Sequence, residues 1–290
     1  MSHVDVEIAE QPSCWRRALE VRPAGLPEAG ERVAVVGCGT SLYMAQAYAA
    51  LREDAGLGET DAFAASDFPA SRRYDRVVAI SRSGTTTEVL DALGRAGDAA
   101  TAALTGDLDT PVKDAAGTVV DLSFADERSV VQTRFATTAL VVLRASLGPV
   151  PQDLTRQAEH ALAAPLPDEL LNARQFTFLG TGWTTGLAHE AALKLREASG
   201  SWTESYPAME YRHGPISVSG PGTVVWFFGE PPAGLADQVR ATGAYLTASP
   251  GDPLADLIRA QRLAVALAEG RGLDPDQPRN LTRSIVLTGS

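Results

Sequence analysis

The sequence predicts an α/β protein built on parallel, doubly wound sheets, and three observations predict it. Short apolar runs rich in β-branched or small residues alternate with Ala- and Leu-rich helical stretches along the chain. Strands buried on both faces read as such runs, and repeated strand–helix alternation is the mark of a parallel sheet. The pattern also restarts. Phe176-Thr177-Phe178-Leu179-Gly180-Thr181-Gly182 parallels Val33-Ala34-Val35-Val36-Gly37-Cys38-Gly39 at an offset of 143 residues, each run followed by an Ala-rich helix, which is an internal repeat of a whole domain. Finally, Val77-Val78-Ala79-Ile80 leads into Ser81-Arg82-Ser83-Gly84-Thr85-Thr86-Thr87 and then a helical pattern opening near Glu88.

Taken in order, residues 1–30 hold a short amphipathic helix, with Trp15 and Leu19 on one face, and a Pro/Gly-rich connection. The first α/β domain is expected over 31–148. Its strands are Arg32–Val36, Thr60–Ala65, Val77–Ile80, Ala99–Thr105 and Thr118–Leu122; its helices are Leu42–Arg52, one ending at Arg95, and a long one over Ser129–Leu147. A proline-bounded charged helix in 149–168 reads as a linker. The second domain, 169–290, carries strands at Phe176–Leu179, Thr223–Phe228 and Leu246–Ala248. Its helices cover His189–Glu197, Leu235–Thr242 and Leu254–Leu267. The short stretch between Ala248 and Leu254 leaves room for one strand fewer. The Pro-rich tail Asp274–Ile285 is too apolar to fray and is expected to fold back.

Composition narrows the partners. A formal net charge of −11 disfavours nucleic acid and anionic membranes. Two cysteines and four scattered histidines suggest neither a disulfide framework nor a metal site. The polar, acidic start is not a signal peptide, and no apolar run would span a bilayer, so a cytoplasmic protein is expected. Gly37-Cys38-Gly39 after a strand invites a dinucleotide reading, but the third glycine of that fingerprint is missing.

Two stretches carry chemistry. The strand–turn–helix at Ser81–Thr87 places five hydroxyls, free backbone N–H groups and a helix N-terminus together, which suits an anion such as a phosphate monoester. One hydroxyl would serve as an ordinary N-cap; five exceed that need. In the second half, Glu190, Lys194 and Glu197 share a helix face by their spacing, which also fits a solvated, salt-bridged surface. The following run, Glu204 to Pro215, packs acids, aromatics, His213 and two helix breakers together. His213 before Gly-Pro must sit at a helix end or in a loop, where an imidazole can act as acid or base.

Four segments resemble tandem sugar isomerase (SIS) domain proteins, in particular the isomerase half of glucosamine-6-phosphate synthase and the amino-sugar-phosphate deaminases. They are Cys38-Gly39-Thr40-Ser41, Ser81-Arg82-Ser83-Gly84-Thr85-Thr86, Ala191–Glu197 through Glu210-Tyr211-Arg212-His213-Gly214-Pro215, and Asp276-Gln277-Pro278-Arg279-Asn280-Leu281. The resemblance implies two tandem SIS domains with flavodoxin-like sheets, no cofactor, and a phosphorylated amino sugar as substrate. It implies that Ser81, Ser83 and Thr86 hold the 6-phosphate, with Thr40 and Ser41 nearby on the sugar; Gly39, Arg82, Glu210 and Arg283 are further candidate substrate-binding residues, Arg283 as a clamp on an oxygen or a phosphate. Glu197 would be the base at C1/C2, Lys194 would position hydroxyls, and His213 would assist ring opening from the neighbouring subunit of a homodimer. Three departures stand out. Arg283 occupies a tail position where the family often has a Schiff-base lysine, and a guanidinium cannot take that role. Glu127 and Gln132 sit in a bulkier ligand loop, where they could read a substituent on the sugar nitrogen. No glutaminase domain precedes the repeat in this sequence, so synthesis from glutamine is not expected. Isomerisation or deamination is the expected chemistry, elimination its alternative, and a non-catalytic sugar-phosphate sensor the rival of another class.

Overall fold

The computed structural model describes residues 2–69, 71–248 and 251–287. The chain divides into two compact units: Met1–Pro12 with Pro151–Leu281, and Ser13–Val150 with Thr282–Ser290. Each contains one all-parallel sheet, and helices flank the strands. The expected parallel α/β architecture is therefore present.

In the unit centred on 13–150, the strands are β1 (Val33–Gly37), β2 (Thr60–Ala64), β3 (Arg76–Ser81), β4 (Ala100–Thr105) and β5 (Thr118–Asp121). They lie in the order β2-β1-β3-β4-β5, that of flavodoxin-like sheets. β1 is buried along its whole length, and β3 from its second residue on, as strands covered on both faces must be. Below the sheet, Ala34, Val36, Val77, Ala79 and Ala103 pack with Phe68, Tyr74, Val89 and Leu93. In this unit, α3 (Thr40–Asp54), α4 (Thr87–Gly94), the single turn α5 (Val112–Ala115) and α6 (Arg134–Leu147) follow the strands.

In the other unit, β6 (Gln175–Gly180), β7 (Thr203–Pro207), β8 (Thr223–Phe228) and β9 (Tyr245–Ala248) form a sheet in the order β7-β6-β8-β9. Phe178, Trp226 and Phe228 pack ring on ring along one face, with centroids 5.9 to 6.3 Å apart. The central helix α9 (Thr184–Ser199) packs most extensively on α11 (Pro253–Gly270), and α1 (His3–Ala9), α7 (Leu154–Ala163) and α8 (Asp168–Leu171) also contact α11. The short α10 (Leu235–Ala241) precedes β9. α2 (Gln11–Ala18) spans the boundary between the units; its Trp15 is fully buried and donates to Thr137 Oγ1 at 3.0 Å.

The repeat extends to strand register. Val33 pairs with Thr60 and Phe176 with Thr203, so both members of the pair recur at the same offset. It also explains the two G-x-G turns. A Cβ on Gly37 would lie 2.7 Å from the Ser41 backbone, and one on Gly180 would lie 2.2 Å from the Thr184 carbonyl. Gly39 and Gly182 have φ of 55° and 57°. The first glycine lets the helix close on the strand; the second supplies a left-handed bend. The spacing is thus accounted for by local geometry, without a dinucleotide.

One sequence expectation needs correction, and two elements went unpredicted. The helix expected from Ser129 starts at Arg134. Its start is set by Glu127, whose Oε1 accepts from the Thr133 and Arg134 N–H groups at 2.6 and 2.8 Å, leaving 129–133 as a loop. Residues 203–207 form a strand that the polar run Thr203-Glu204-Ser205 conceals, because this edge strand is only half covered. The polar start forms α1, capped by a reciprocal bond pair between Ser2 and Asp5.

Candidate active site

The hydroxyl turn belongs to the five-stranded unit. β3 ends at Ser81, and α4 begins after Thr86, which occupies the N-cap position without capping the helix through its side chain. Ser81, Arg82 and Ser83 are buried. Ser81 Oγ accepts from the Gly84 N–H at 3.2 Å, and Ser83 Oγ from the Thr85 N–H at 3.3 Å, so the turn is braced from inside. Thr40 and Ser41, also buried, open α3 directly after Gly39 at the end of β1. Both turns thus lie at strand carboxyl ends on either side of the order reversal, where open α/β sheets bind ligands.

The tail completes this turn. Ser284 Oγ lies 2.8 Å from Thr85 Oγ1 and 3.2 Å from Ser83 Oγ. The Thr87 N–H donates to the Ile285 carbonyl at 3.2 Å, and the Leu287 N–H donates to Thr87 Oγ1 at 2.9 Å. Two tail oxygens therefore take donors of the kind a bound anion would use. Arg82 holds this arrangement from below. Its Nη1 donates to the Ser129 carbonyl at 2.8 Å and its Nη2 to the Arg283 carbonyl at 2.6 Å. Arg283 in turn binds both oxygens of Asp126, at 2.7 and 2.9 Å, and donates to the Glu127 carbonyl.

Glu127 is buried, and one of its oxygens is committed to the start of α6; Thr133 Oγ1 donates to it as well, at 2.9 Å. Gln132 is half-buried, and its Oε1 is buried with no hydrogen-bond partner among the described residues.

The charged face belongs to the four-stranded unit. Lys194 and Glu190 are both buried on α9, 3.5 Å apart, and Lys194 Nζ also binds Glu197. Glu197 stays partly accessible and lines a cavity of about 690 Å3 together with Arg196, Arg271 and Arg279. The face is therefore an inward-turned trio with one carboxylate reaching an open space, not a solvated stripe. A carboxylate so placed can chemically accept or give a proton. Glu210 and His213 stand exposed on the tight turn after β7. Nearby on α9, His189 shares a 2.9 Å hydrogen bond with Ser205, and burial holds its pKa below the usual histidine value. Burial also pushes the Cys38 thiol up to about 11.

The sequence alone does not single out two residues that belong to the hydroxyl site, Ser284 and Asp126. Ser284 lies 199 and 201 positions from its partners, and no local pattern signals such a contact.

Among the described residues, no group of acidic, His and Cys side chains is arranged to hold a metal ion, and no helix is long and apolar enough to cross a membrane. No protein-family model matches the chain. The chain is 29% identical to the glutamine–fructose-6-phosphate aminotransferase (isomerizing) of Methanothermobacter thermautotrophicus over 335 residues, 97% of this chain and 57% of that protein. The enzyme of the same name from Sulfurisphaera tokodaii is 27% identical over 297 residues, 89% of this chain and 50% of that protein. The chain thus spans about half the length of the curated relatives it matches. Among solved structures, glucosamine-6-phosphate deaminase from Thermotoga maritima superposes with a TM-score of 0.84 at 23% identity, covering 99% of this chain and 100% of that one. The C-terminal domain of glucosamine-fructose-6-phosphate aminotransferase from Francisella tularensis gives 0.78 at 20% identity, covering 96% and 98%. These likenesses show the fold.

Proposed function

We propose that this chain is an enzyme of amino-sugar-phosphate metabolism, made of two tandem SIS domains, that removes the C2 proton of a hexosamine 6-phosphate. The observation that carries the reading is Glu197: a carboxylate tied to the buried Lys194 and facing a cavity large enough for a sugar. The hydroxyl turn at Ser81–Thr86 takes the 6-phosphate. Thr40 and Ser41 serve the sugar oxygens.

The chemistry starts with ring opening, assisted by His213 of a second copy in a homodimer, which exposes the C1 aldehyde. Glu197 then takes the proton from C2, whose acidity comes from that aldehyde, and the electrons pass into a C1–C2 enolamine. Protonation at C1 gives the C2 imine of fructose 6-phosphate. Water hydrolyses the imine, releasing ammonia and the ketose. Lys194 keeps the carboxylate oriented through the transfer. Arg283 offers no amine for a Schiff base and is already engaged with Asp126. That observation favours, as a second reading, expulsion of a C3 substituent from an N-acylated sugar, which needs no such amine.

The test is incubation with glucosamine 6-phosphate and, separately, N-acetylglucosamine 6-phosphate, followed by mass spectrometry. Ammonia and fructose 6-phosphate from the first are expected. Loss of a water mass from the second supports elimination instead. Thermal stabilisation by both esters without turnover would replace the enzyme with a sensor.

A further inference from the structure

A second cavity lies between α7 and α11 of the four-stranded unit. It holds about 340 Å3 and shares no lining residue with the one beside Glu197. His160 and Ala164 stand on the α7 side, and Asp252, Asp256 and Arg259 on the α11 side. Arg259 is the residue that asks for a ligand. Its side chain is only 16% exposed, and its guanidinium is held in place. Nη1 donates to Asp256 Oδ1 at 2.8 Å, and Asp256 Oδ2 accepts from the Trp226 indole N–H at 2.7 Å. The same guanidinium lies over the Trp226 ring, 4.9 Å from its centroid. The remaining edge is open. Nε is buried with no hydrogen-bond partner among the described residues, and Nη2 beside it has none either. A buried N–H on a charged group is costly to leave unpaired, so its partner comes from outside the chain. Arg262, one turn along α11, donates to the Ala161 and Ala164 carbonyls and so fixes the facing wall. The open edge is therefore set before anything binds.

Nε–H and Nη2–H on one edge of a planar guanidinium meet two oxygens of a single oxyanion, the bidentate geometry of a carboxylate or a phosphate. The rest of the wall chooses between them. Asp256 spends its oxygens on Arg259 and Trp226, and Asp252 Oδ1 accepts from the Leu254 N–H at 2.9 Å. Both acids stay beside the site, and their repulsion grows with the charge of the ligand, so a monoanion is favoured over a dianion. The methyl groups of Ala164 and Ala255 line the same space and suit a short apolar body behind the acid. We infer that this cavity is a binding site for a small monocarboxylate, whose two oxygens bridge Nε and Nη2 of Arg259. The site is independent of the hydroxyl turn and of Glu197. α11 also backs α9, so it lies one helix away from the candidate base.

Fluorine NMR of the full chain labelled with fluorotryptophan tests the inference, because Trp226 lies against Arg259. Trp226→Phe assigns its signal among the four tryptophans. Acetate, propanoate, lactate and benzoate are titrated at fixed ionic strength, with chloride and inorganic phosphate for comparison. At least one carboxylate should move the Trp226 signal saturably, with a Kd below about 10 mM. Arg259→Lys keeps a cation for Asp256 but lacks the fork, and should weaken that binding about tenfold. Ala164→Leu leaves Arg259 intact and fills the cavity, and should weaken it at least as much. A signal that no carboxylate moves would overturn the inference, as would the same shift from chloride. So would phosphate binding tighter than every carboxylate, or an affinity unchanged in either variant.

Discussion

The two sheets share a register offset but spend their strand ends differently. At the end of β3, the five-stranded unit gathers neutral hydroxyls and backbone donors, and its charged groups, Arg82 and Arg283, face protein carbonyls and Asp126. In the four-stranded unit the corresponding turn after β8 reads Gly229-Glu230-Pro231-Pro232, with no hydroxyl. Its polar investment lies on α9 instead, as the Glu190–Lys194–Glu197 trio. Under the proposed function the difference is a division of labour: neutral donors would bind a dianion without trapping the product, while a carboxylate beside a buried ammonium would move a proton.

The largest expected effect tests the chemical side of that division. Glu197→Gln should lower turnover by about a thousandfold, within the usual range for a lost general base, while sugar-phosphate affinity measured by calorimetry changes little. Next comes the binding side. Ser83→Ala should weaken inorganic phosphate binding by about tenfold, the worth of a hydrogen bond to a charged group, and a result of no change would place the anion elsewhere.

Smaller effects concern the frame. Gly84 has φ of 62°, and a Cβ there would lie 2.1 Å from Thr110 Oγ1. Gly84→Ala should therefore cost about 2 kcal/mol in urea unfolding, compounded of left-handed strain and the displaced threonine. Arg283→Ala should speed amide exchange at Thr87 and Leu287, because it releases the tail that carries Ile285, the acceptor of the Thr87 N–H, and Leu287 itself, which donates to Thr87 Oγ1. The least effect is a pH dependence. With its folded pKa depressed, His189 binds fewer protons folded than unfolded, so its contribution to stability is full above the unfolded value of about 6.5 and declines below it. Melting temperature should fall on acidification from pH 7, and His189→Gln should flatten that part of the curve.

Most of the fold was legible because it is written locally. β1, β3, β4, β6 and β8 are apolar runs that only a strand covered on both faces explains, and the offset of 143 residues that relates the two halves persists into the pairing of Val33 with Thr60 and Phe176 with Thr203. β7 was hidden because an edge strand need not be apolar. The hydroxyl turn was legible for the same local reason. The roles of Asp126 and Ser284 were not, since they depend on where residues far away in sequence come to rest. Glu127 shows the opposite failure: a carboxylate in a candidate ligand loop has one oxygen engaged by the first turn of α6.

The tail's place in the five-stranded unit has a consequence for biosynthesis. Ser83 leaves the ribosome 201 residues before Ser284. At ordinary elongation rates of about 5–20 residues per second, that is a wait of about 10–40 seconds. Through that interval the nascent turn meets water, solutes and any phosphate ester present, with its own closing strap still unsynthesised. A metabolite that binds the turn could then act as a folding ligand, stabilising the nascent unit by mass action before the chain is finished.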